Sequence, residues 1–422
     1  MEVEYTNRRR DSLVYRTGDS LNKYLSIFWS RIQEHYESSA PRNDMLKLSP
    51  LDLHRKWKSE PTEMSSAIRR ISPSVVSVSY FTDVQRTVDC SGIIIDWDDA
   101  HGQATILTSA KLMRSPAKRG DYYIVVRLAN GKILLAEEHF VDYYHNIAIF
   151  KVSSDVKLKP AELDSPPLET LEGVEVVALG RNFHNCKLSE SSGLIRLDYP
   201  YFGCEFLSSS TCSSTQASEG GPLITKTGHV CGINFFDDHQ YVHPLPTTSV
   251  INSCKKKWSS NGIVVQPWFG LSVIDISELP RDELETAPVC YGNSSSVGNL
   301  VYEGSPADKV GVRPGDSIVA LRGFTVSSAS QYTEALSVVF DELHPYCPGQ
   351  TPDIMLFVKG NTGSKAVHAE ILRVDDRRFC YCWLGVPSFM TPLIGSQTYR
   401  ACCIGESTNF LVDEDFILYS GY

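Results

Sequence analysis

The sequence lacks an apolar run of the roughly 20 residues that a membrane-spanning helix needs, and its first residues contain no apolar segment of the kind that directs secretion. It also lacks an excess of positive charge, because its formal net charge is −10. An acidic balance argues against general binding to nucleic acids. We therefore expect neither a membrane nor a nucleic acid as a partner, and we expect a cytoplasmic or nuclear location.

The 12 cysteines lack the spacing of the familiar zinc modules. Four of them, Cys380, Cys382, Cys402 and Cys403, cluster near the C-terminus, but the members of each pair are too close in sequence for those modules. Without a secretory signal, thiols are more often reduced and buried than joined in disulfides. The sequence thus predicts no metal site and no cofactor, and we interpret the cysteines as packing residues.

The length of 422 residues leaves room for about two or three domains. Residues 1–65 are a polar extension with one clear helical pattern, at about 20–36, where apolar side chains recur at helical spacing. These side chains are Leu21, Tyr24, Leu25, Phe28, Trp29, Ile32 and Tyr36. We predict an amphipathic helix whose aromatic face packs on the next domain. A contact with a partner or with another copy of the chain is the alternative.

Residues 66–258 contain many short segments that resemble strands, separated by Gly, Asn, Asp and Pro, with no long helical pattern between them. The clearest are 75–78, 92–95, 104–107, 123–128, 147–150 and 174–179. Strands at such short intervals are typical of a β barrel or sandwich. We therefore predict that this region is mainly β.

Several segments of this region resemble, in the right order, the landmarks of trypsin-like proteases of the HtrA/Deg family. They lie at 72–78, 90–95, 106–111, 146–152, 177–180 and 241–244. The loop Ala-Ser-Glu-Gly-Gly-Pro-Leu at 217–223 is similar to the family's nucleophile loop, Gly-Asn-Ser-Gly-Gly-Pro-Leu. The resemblance implies a two-barrel trypsin-like domain of the chymotrypsin fold.

The resemblance also identifies the positions of the catalytic triad. The histidine position holds Lys111, the aspartate position Asn146 and the serine position Glu219. A serine hydrolase needs a hydroxyl beside an imidazole that moves a proton, and an anion that orients the imidazole. We therefore expect no intact catalytic residues. We predict instead an ion pair between Lys111 and Glu219, with Asn146 behind Lys111.

Neighbouring residues are poor substitutes for the triad. His145 precedes the aspartate position, and strand neighbours point to opposite faces, so we expect it to face away. Ser218 and Lys111 would resemble a serine–lysine dyad, but a shift of one residue aims the hydroxyl elsewhere, and the Glu219 carboxylate favours the charged ammonium. Ala217 stands where the family has glycine, so the oxyanion turn formed with Ser218 is altered too.

Residues 263–374 resemble the PDZ domains of the same family, which are α+β. The stretch 304–318 follows the PDZ core pattern almost position for position, with a second helix expected at 331–340 and a late strand at 354–358. The carboxylate-binding loop and groove strand would comprise Trp268, Phe269, Gly270, Leu271 and Val273. In such a groove a peptide adds as an extra strand, and loop amides receive its terminal carboxylate. A groove that is occupied internally or serves only as a spacer is the alternative.

The leading interpretation is a catalytically inactive HtrA/Deg-like protein that binds protein C-termini or unfolded peptide segments, as a binding or scaffold module. The alternatives are an active HtrA-type serine endopeptidase of protein quality control and a holdase-like chaperone. The resemblance also implies a homo-oligomer, a trimer in the family. Residues 375–422 fit neither domain, and their apolar end is a candidate occupant of the groove.

Overall fold

The computed structural model describes residues 30, 62–82, 85–113, 122–163, 170–196, 207–213, 218–235, 243–275, 296–343, 353–360, 362–376 and 379. Contacts divide the chain into two compact units, one that runs to Val264 and resumes at Arg373, and one that spans Val265–Leu372. Apart from Ser30, the predicted N-terminal helix lies outside the described residues, as do Ala217 and the C-terminal cysteine cluster. Within these ranges no helix is both long and apolar enough to span a bilayer.

Helix α1, Glu63–Ile71, leads into the first unit. Thr62 caps it, because its hydroxyl accepts a hydrogen bond from the Ser65 amide at 3.1 Å, one of the amides that the first turn leaves without a helical partner. Ala67 and Ile71 are buried on one side of the helix. A 3-10 turn over Ser72–Ser74 then directs the chain into the first strand.

The first six strands form a closed barrel in the order β1-β2-β3-β6-β5-β4. Their bounds are β1 Val75–Thr82, β2 Gln85–Asp98, β3 Gln103–Ser109, β4 Tyr122–Arg127, β5 Ile133–Asp142 and β6 Ile147–Ser153. Ser109, the last residue of β3, pairs with Ile147, the first of β6. This register brings Lys111, just after β3, to the same barrel end as Asn146, just before β6.

The next six strands form a second sheet in the order β11-β10-β7-β8-β9-β12. Their bounds are β7 Glu175–Arg181, β8 Leu188–Arg196, β9 Leu207–Ser210, β10 Pro222–Thr225, β11 Val230–Ile233 and β12 His243–Pro246. A bridge between Gly232 and Thr247 links β11 to the residue after β12, so the sheet curls into a barrel-like shape. The prediction of a mainly β protein with two barrel-like sheets is therefore confirmed. Helix α2, Thr248–Asn261, follows and ends at Gly262 in the left-handed conformation.

The second unit combines a sheet with two helices. Its elements are β13 Val265–Trp268, β14 Leu271–Asp275, β15 Ser296–Val301, α3 Pro306–Lys309, β16 Ser317–Leu321, β17 Phe324–Thr325, α4 Ala329–Glu342, β18 Met355–Gly360, β19 Gly363–His368 and β20 Glu370–Arg373. The main sheet has the order β14-β15-β16-β18-β19, which puts β14 at an edge. Helix α4 and strand β18 lie where the sequence predicts a helix and a late strand.

After the second unit the chain returns to the first. The Val374 amide donates to the Val264 carbonyl at 3.1 Å, and the Val374 carbonyl accepts from the Tyr143 amide at 2.8 Å. The Phe379 ring lies 5.0 Å from the Tyr144 ring, edge to face, and is fully buried. The returning segment therefore packs against the turn between β5 and β6.

The five cysteines that the structure describes, Cys90, Cys186, Cys212, Cys231 and Cys254, are buried and form no disulfide. Burial raises the pKa of the Cys231 thiol to about 12, because the charged thiolate is poorly solvated there. The prediction of reduced, buried thiols is confirmed for these five residues.

A buried arginine joins the strand ends of the first unit. The Arg181 guanidinium, at the end of β7, donates to the carbonyls of Val75 at 2.6 Å, Cys186 at 2.7 Å and Ser72 at 2.7 Å. Burial lowers the pKa of Arg181, since the charged form loses solvation. The three carbonyls replace the lost water, and the guanidinium joins the end of β7 to residues 72–75 and to the turn at Cys186.

We expect Arg181→Met to lower the free energy of unfolding by about 3 kcal/mol, because three buried carbonyls would lose their donor. Arg196→Met is the control, since Arg196 is half-exposed and pairs with Glu172 at 3.5 Å. The Arg196→Met change should lower the free energy of unfolding by less than about 1 kcal/mol. Urea unfolding of both variants measures the difference, and equal losses would contradict a structural role for Arg181.

Candidate functional site

Glu219 lies in a short loop just before β10, held between the two sheets of the first unit by backbone hydrogen bonds. Its carbonyl accepts from the Ser91 amide of β2 at 2.6 Å. The next amide, of Gly220, donates to the Asn234 carbonyl at 2.7 Å, and the Asn234 amide donates to the Gly221 carbonyl at 2.8 Å. The position of the Glu219 side chain is thus set by strands of both sheets.

The two glycines of this loop are required by close backbone approach. Gly220 has φ +75°, and a Cβ there would lie 2.5 Å from the Ser91 carbonyl oxygen. A Cβ on Gly221 would lie 2.0 Å from the Leu179 carbonyl oxygen. Only residues without a side chain fit at these two positions.

Both carboxylate oxygens of Glu219 are engaged. Oε2 accepts from the Lys111 ammonium at 2.9 Å, and Oε1 accepts from the Ser109 hydroxyl at 2.8 Å. The Glu219 side chain is 2% exposed and that of Lys111 is 40% exposed. The predicted ion pair is therefore confirmed, and it is buried at the carboxylate and open to solvent at the lysine.

Asn146 reaches this pair through Ser109. It has φ 57°, in the left-handed region that asparagine tolerates, and its carbonyl accepts from the Ala110 amide at 3.0 Å. Its Oδ1 lies 3.1 Å from the Ser109 hydroxyl. A hydroxyl has one proton, so Ser109 donates to Asn146 or to Glu219 at any moment. The sequence prediction placed Asn146 behind Lys111 and missed Ser109, although Ser109 belongs to the same matched segment.

Comparison with known proteins finds similar sequences. Residues 90–233 match the family described as trypsin-like peptidase domain. The chain is 26% identical over 339 residues to "Putative protease Do-like 14" of Arabidopsis thaliana, covering 74% of this chain and 76% of that protein. It is 23% identical over 318 residues to "Serine protease Do-like HtrA" of Bacillus subtilis, covering 66% and 68%. The chain is thus similar in sequence to proteins named as Do-like proteases.

Solved structures of proteases also align with this chain. The HtrA-type protease AlgW with decapeptide aligns with a TM-score of 0.49 at 19% identity, covering 74% of this chain and 98% of that one. The serine endoprotease from Yersinia pestis aligns with a TM-score of 0.47 at 21% identity, covering 75% and 100%.

The other candidates for chemistry in the first unit have their own contacts. Ser218 is buried, and its hydroxyl accepts from the Asn234 side-chain amide at 3.4 Å. His145 Nδ1 lies 2.7 Å from a carboxylate oxygen of Asp142 and 3.5 Å from the sulfur of Cys254. Strand alternation was the wrong reason for expecting His145 to face away, because residues 143–146 form a turn.

The predicted peptide-binding residues lie in the second unit, on β13, β14 and the loop between them. Trp268, Phe269 and Leu271 are buried and Val273 is half-buried. Gly270 has φ +73°, and its carbonyl accepts from the Ser305 hydroxyl at 3.1 Å. The segment that begins β14 is therefore held against the start of α3.

A double-mutant cycle tests the ion pair. We expect Lys111→Met to lower the free energy of unfolding by about 2 kcal/mol, because it leaves a buried carboxylate without its cation. In a Glu219→Gln background the same change should cost much less, giving a coupling of about 1–2 kcal/mol. The control is the exposed Lys157–Asp99 pair at 2.7 Å, which should show no measurable coupling. Similar coupling energies in both cycles would mean that burial of Glu219 does not strengthen its ion pair with Lys111.

Proposed function

We propose that this protein is a catalytically inactive relative of the HtrA/Do-like proteases that binds peptides through residues 263–374. The observation that carries the first half is the buried Glu219 carboxylate, which occupies the nucleophile position and is bound by Lys111 and Ser109. The proposal of peptide binding is based on the edge strand β14 and the loop before it.

The side chains around Glu219 do not supply the steps of acyl transfer. A hydroxyl nucleophile needs a neighbouring base that can accept its proton near neutral pH. The Lys111 ammonium is paired with a carboxylate, which favours its protonated form. Asn146 carries no charge that would stabilise a protonated base. The Ser109 hydroxyl is fully buried, so a substrate carbonyl would not reach it.

The competing function is proteolysis with Ser218 as nucleophile. Its hydroxyl lies in the loop one residue before Glu219, and the amide of Asn234 donates to it. A donor on the hydroxyl oxygen lowers its nucleophilicity and supplies no base. Proteolysis would therefore require the loop to rearrange.

Assays with unfolded casein and a fluorophosphonate probe separate the two functions. We expect no cleavage products and no covalent labelling of the full chain, because the Glu219 carboxylate is paired with Lys111 and the Ser218 hydroxyl accepts a hydrogen bond from Asn234. Labelling that disappears in Ser218→Ala would overturn the proposal. An active HtrA-type protease in parallel shows that the casein and the probe are competent.

Peptide binding is favoured by the position of β14. An edge strand presents backbone groups to which an extended peptide can add as a further strand. Helix α4 packs against β14, so the two elements are the walls that a groove of this kind needs. The amides of Phe269, Gly270 and Leu271 are the proposed receptors for the terminal carboxylate.

Fluorescence anisotropy with labelled peptides tests this recognition in the full chain. We expect an apolar C-terminal peptide with a free carboxylate to bind at least about tenfold more tightly than its amidated form, a difference of about 1.4 kcal/mol. Val273→Glu on β14 should weaken binding, while Val310→Glu, at an exposed valine of the same unit, should not. Equal affinity for both peptides would argue for an occupied groove or a spacer.

A further inference from the structure

Asp142, His145 and Cys254 form a second cluster of reactive side chains in the first unit, which the proposed function does not use. Asp142 ends β5, His145 lies in the following turn, and Cys254 belongs to α2. All three residues are buried, with exposures of 0%, 0% and 1%. Their ligand atoms lie within 4.8 Å of one another. Side chains from three segments therefore converge on one point in the interior.

We propose that this cluster is a binding site for a zinc ion, which the side chains of Asp142, His145 and Cys254 would hold. Thiolate, imidazole and carboxylate are the three side-chain ligands that Zn²⁺ takes in proteins. Bond lengths of about 2.3 Å to sulfur and about 2.05 Å to nitrogen give a separation of about 3.6 Å at a tetrahedral angle. The Cys254 sulfur and His145 Nδ1 lie 3.5 Å apart, which is the spacing that a shared zinc ion requires.

The carboxylate needs a small adjustment. His145 Nδ1 and Asp142 Oδ2 are 2.7 Å apart, a hydrogen-bond distance. Tetrahedral zinc would place them about 3.3 Å apart, so the carboxylate would move outward by about 0.6 Å. The backbone amide of His145 donates to the other carboxylate oxygen at 2.8 Å, which orients Asp142 toward the turn.

Charge balance favours a divalent cation at this point. A buried carboxylate is unfavourable without a compensating positive charge. One carboxylate, one thiolate, a neutral imidazole and Zn²⁺ sum to zero charge. Binding displaces the thiol proton of Cys254, while the proton at His145 Nδ1 moves to Nε2 so that the imidazole stays neutral. Because one proton is released, zinc affinity should rise with pH.

The proposed ion would tie α2 to the turn at 143–146, whose last residue, Asn146, contacts Ser109 beside Glu219. Because zinc would bind the folded chain and not the unfolded one, it would stabilise the fold by mass action.

Metal analysis of the full chain tests the site. Protein expressed with added zinc and then gel-filtered should contain one equivalent of zinc, and its thermal midpoint should fall when a strong chelator is added. Cys254→Ser should lose the zinc. Cys231→Ser should retain it, and it is the matched control because Cys231 is equally buried and lies outside the cluster.

Two results would overturn the proposal. They are a wild-type chain that binds no zinc and a Cys254→Ser variant that retains zinc, whether or not a Cys380→Ser/Cys382→Ser variant loses it. If Cys254→Ser does not fold, the cobalt-loaded wild-type chain decides. A charge-transfer band of the intensity of one cobalt–thiolate bond supports the site, and the absence of that band, or an intensity of two or more bonds, rejects it.

Discussion

The buried carboxylate of Glu219 is the constraint on which the arrangement of the first unit depends. A carboxylate removed from water is unfavourable unless cations and donors replace its solvation. Here the Lys111 ammonium and the Ser109 hydroxyl replace that solvation, and both residues lie at the end of β3 or just after it. The register of β3 against β6 then places Asn146 beside Ser109. One polar side chain thus links the loop before β10 to the rim of the first barrel.

The backbone of the loop before β10 does not depend on which side chain stands at position 219. Its glycines are required by approach to the carbonyls of Ser91 and Leu179, whatever residue stands at position 219. The backbone geometry therefore does not depend on a nucleophile. A glutamate fits the position because the Lys111 ammonium faces its carboxylate.

The turn between β5 and β6 collects more contacts than its length suggests. The segment that returns from the second unit bonds to Tyr143 and packs on Tyr144. His145 turns toward Asp142 and Cys254, and Asn146 turns toward Ser109. Four consecutive residues thus connect the returning chain, α2, the proposed zinc site and the Glu219 site.

Sequence by itself determined the mainly β class, the positions of β1 to β4, β6 and β7, and the pairing of Lys111 with Glu219. These follow from local periodicity and from ordered motifs that match a known family. Only the tertiary structure revealed that Ser109 bridges Asn146 and Glu219, and that Cys254 meets His145 from 109 positions away in the chain. Such contacts depend on strand register and on how α2 packs. No local pattern of residues encodes these two features, so the sequence left Cys254 among the packing residues and Ser109 unremarked.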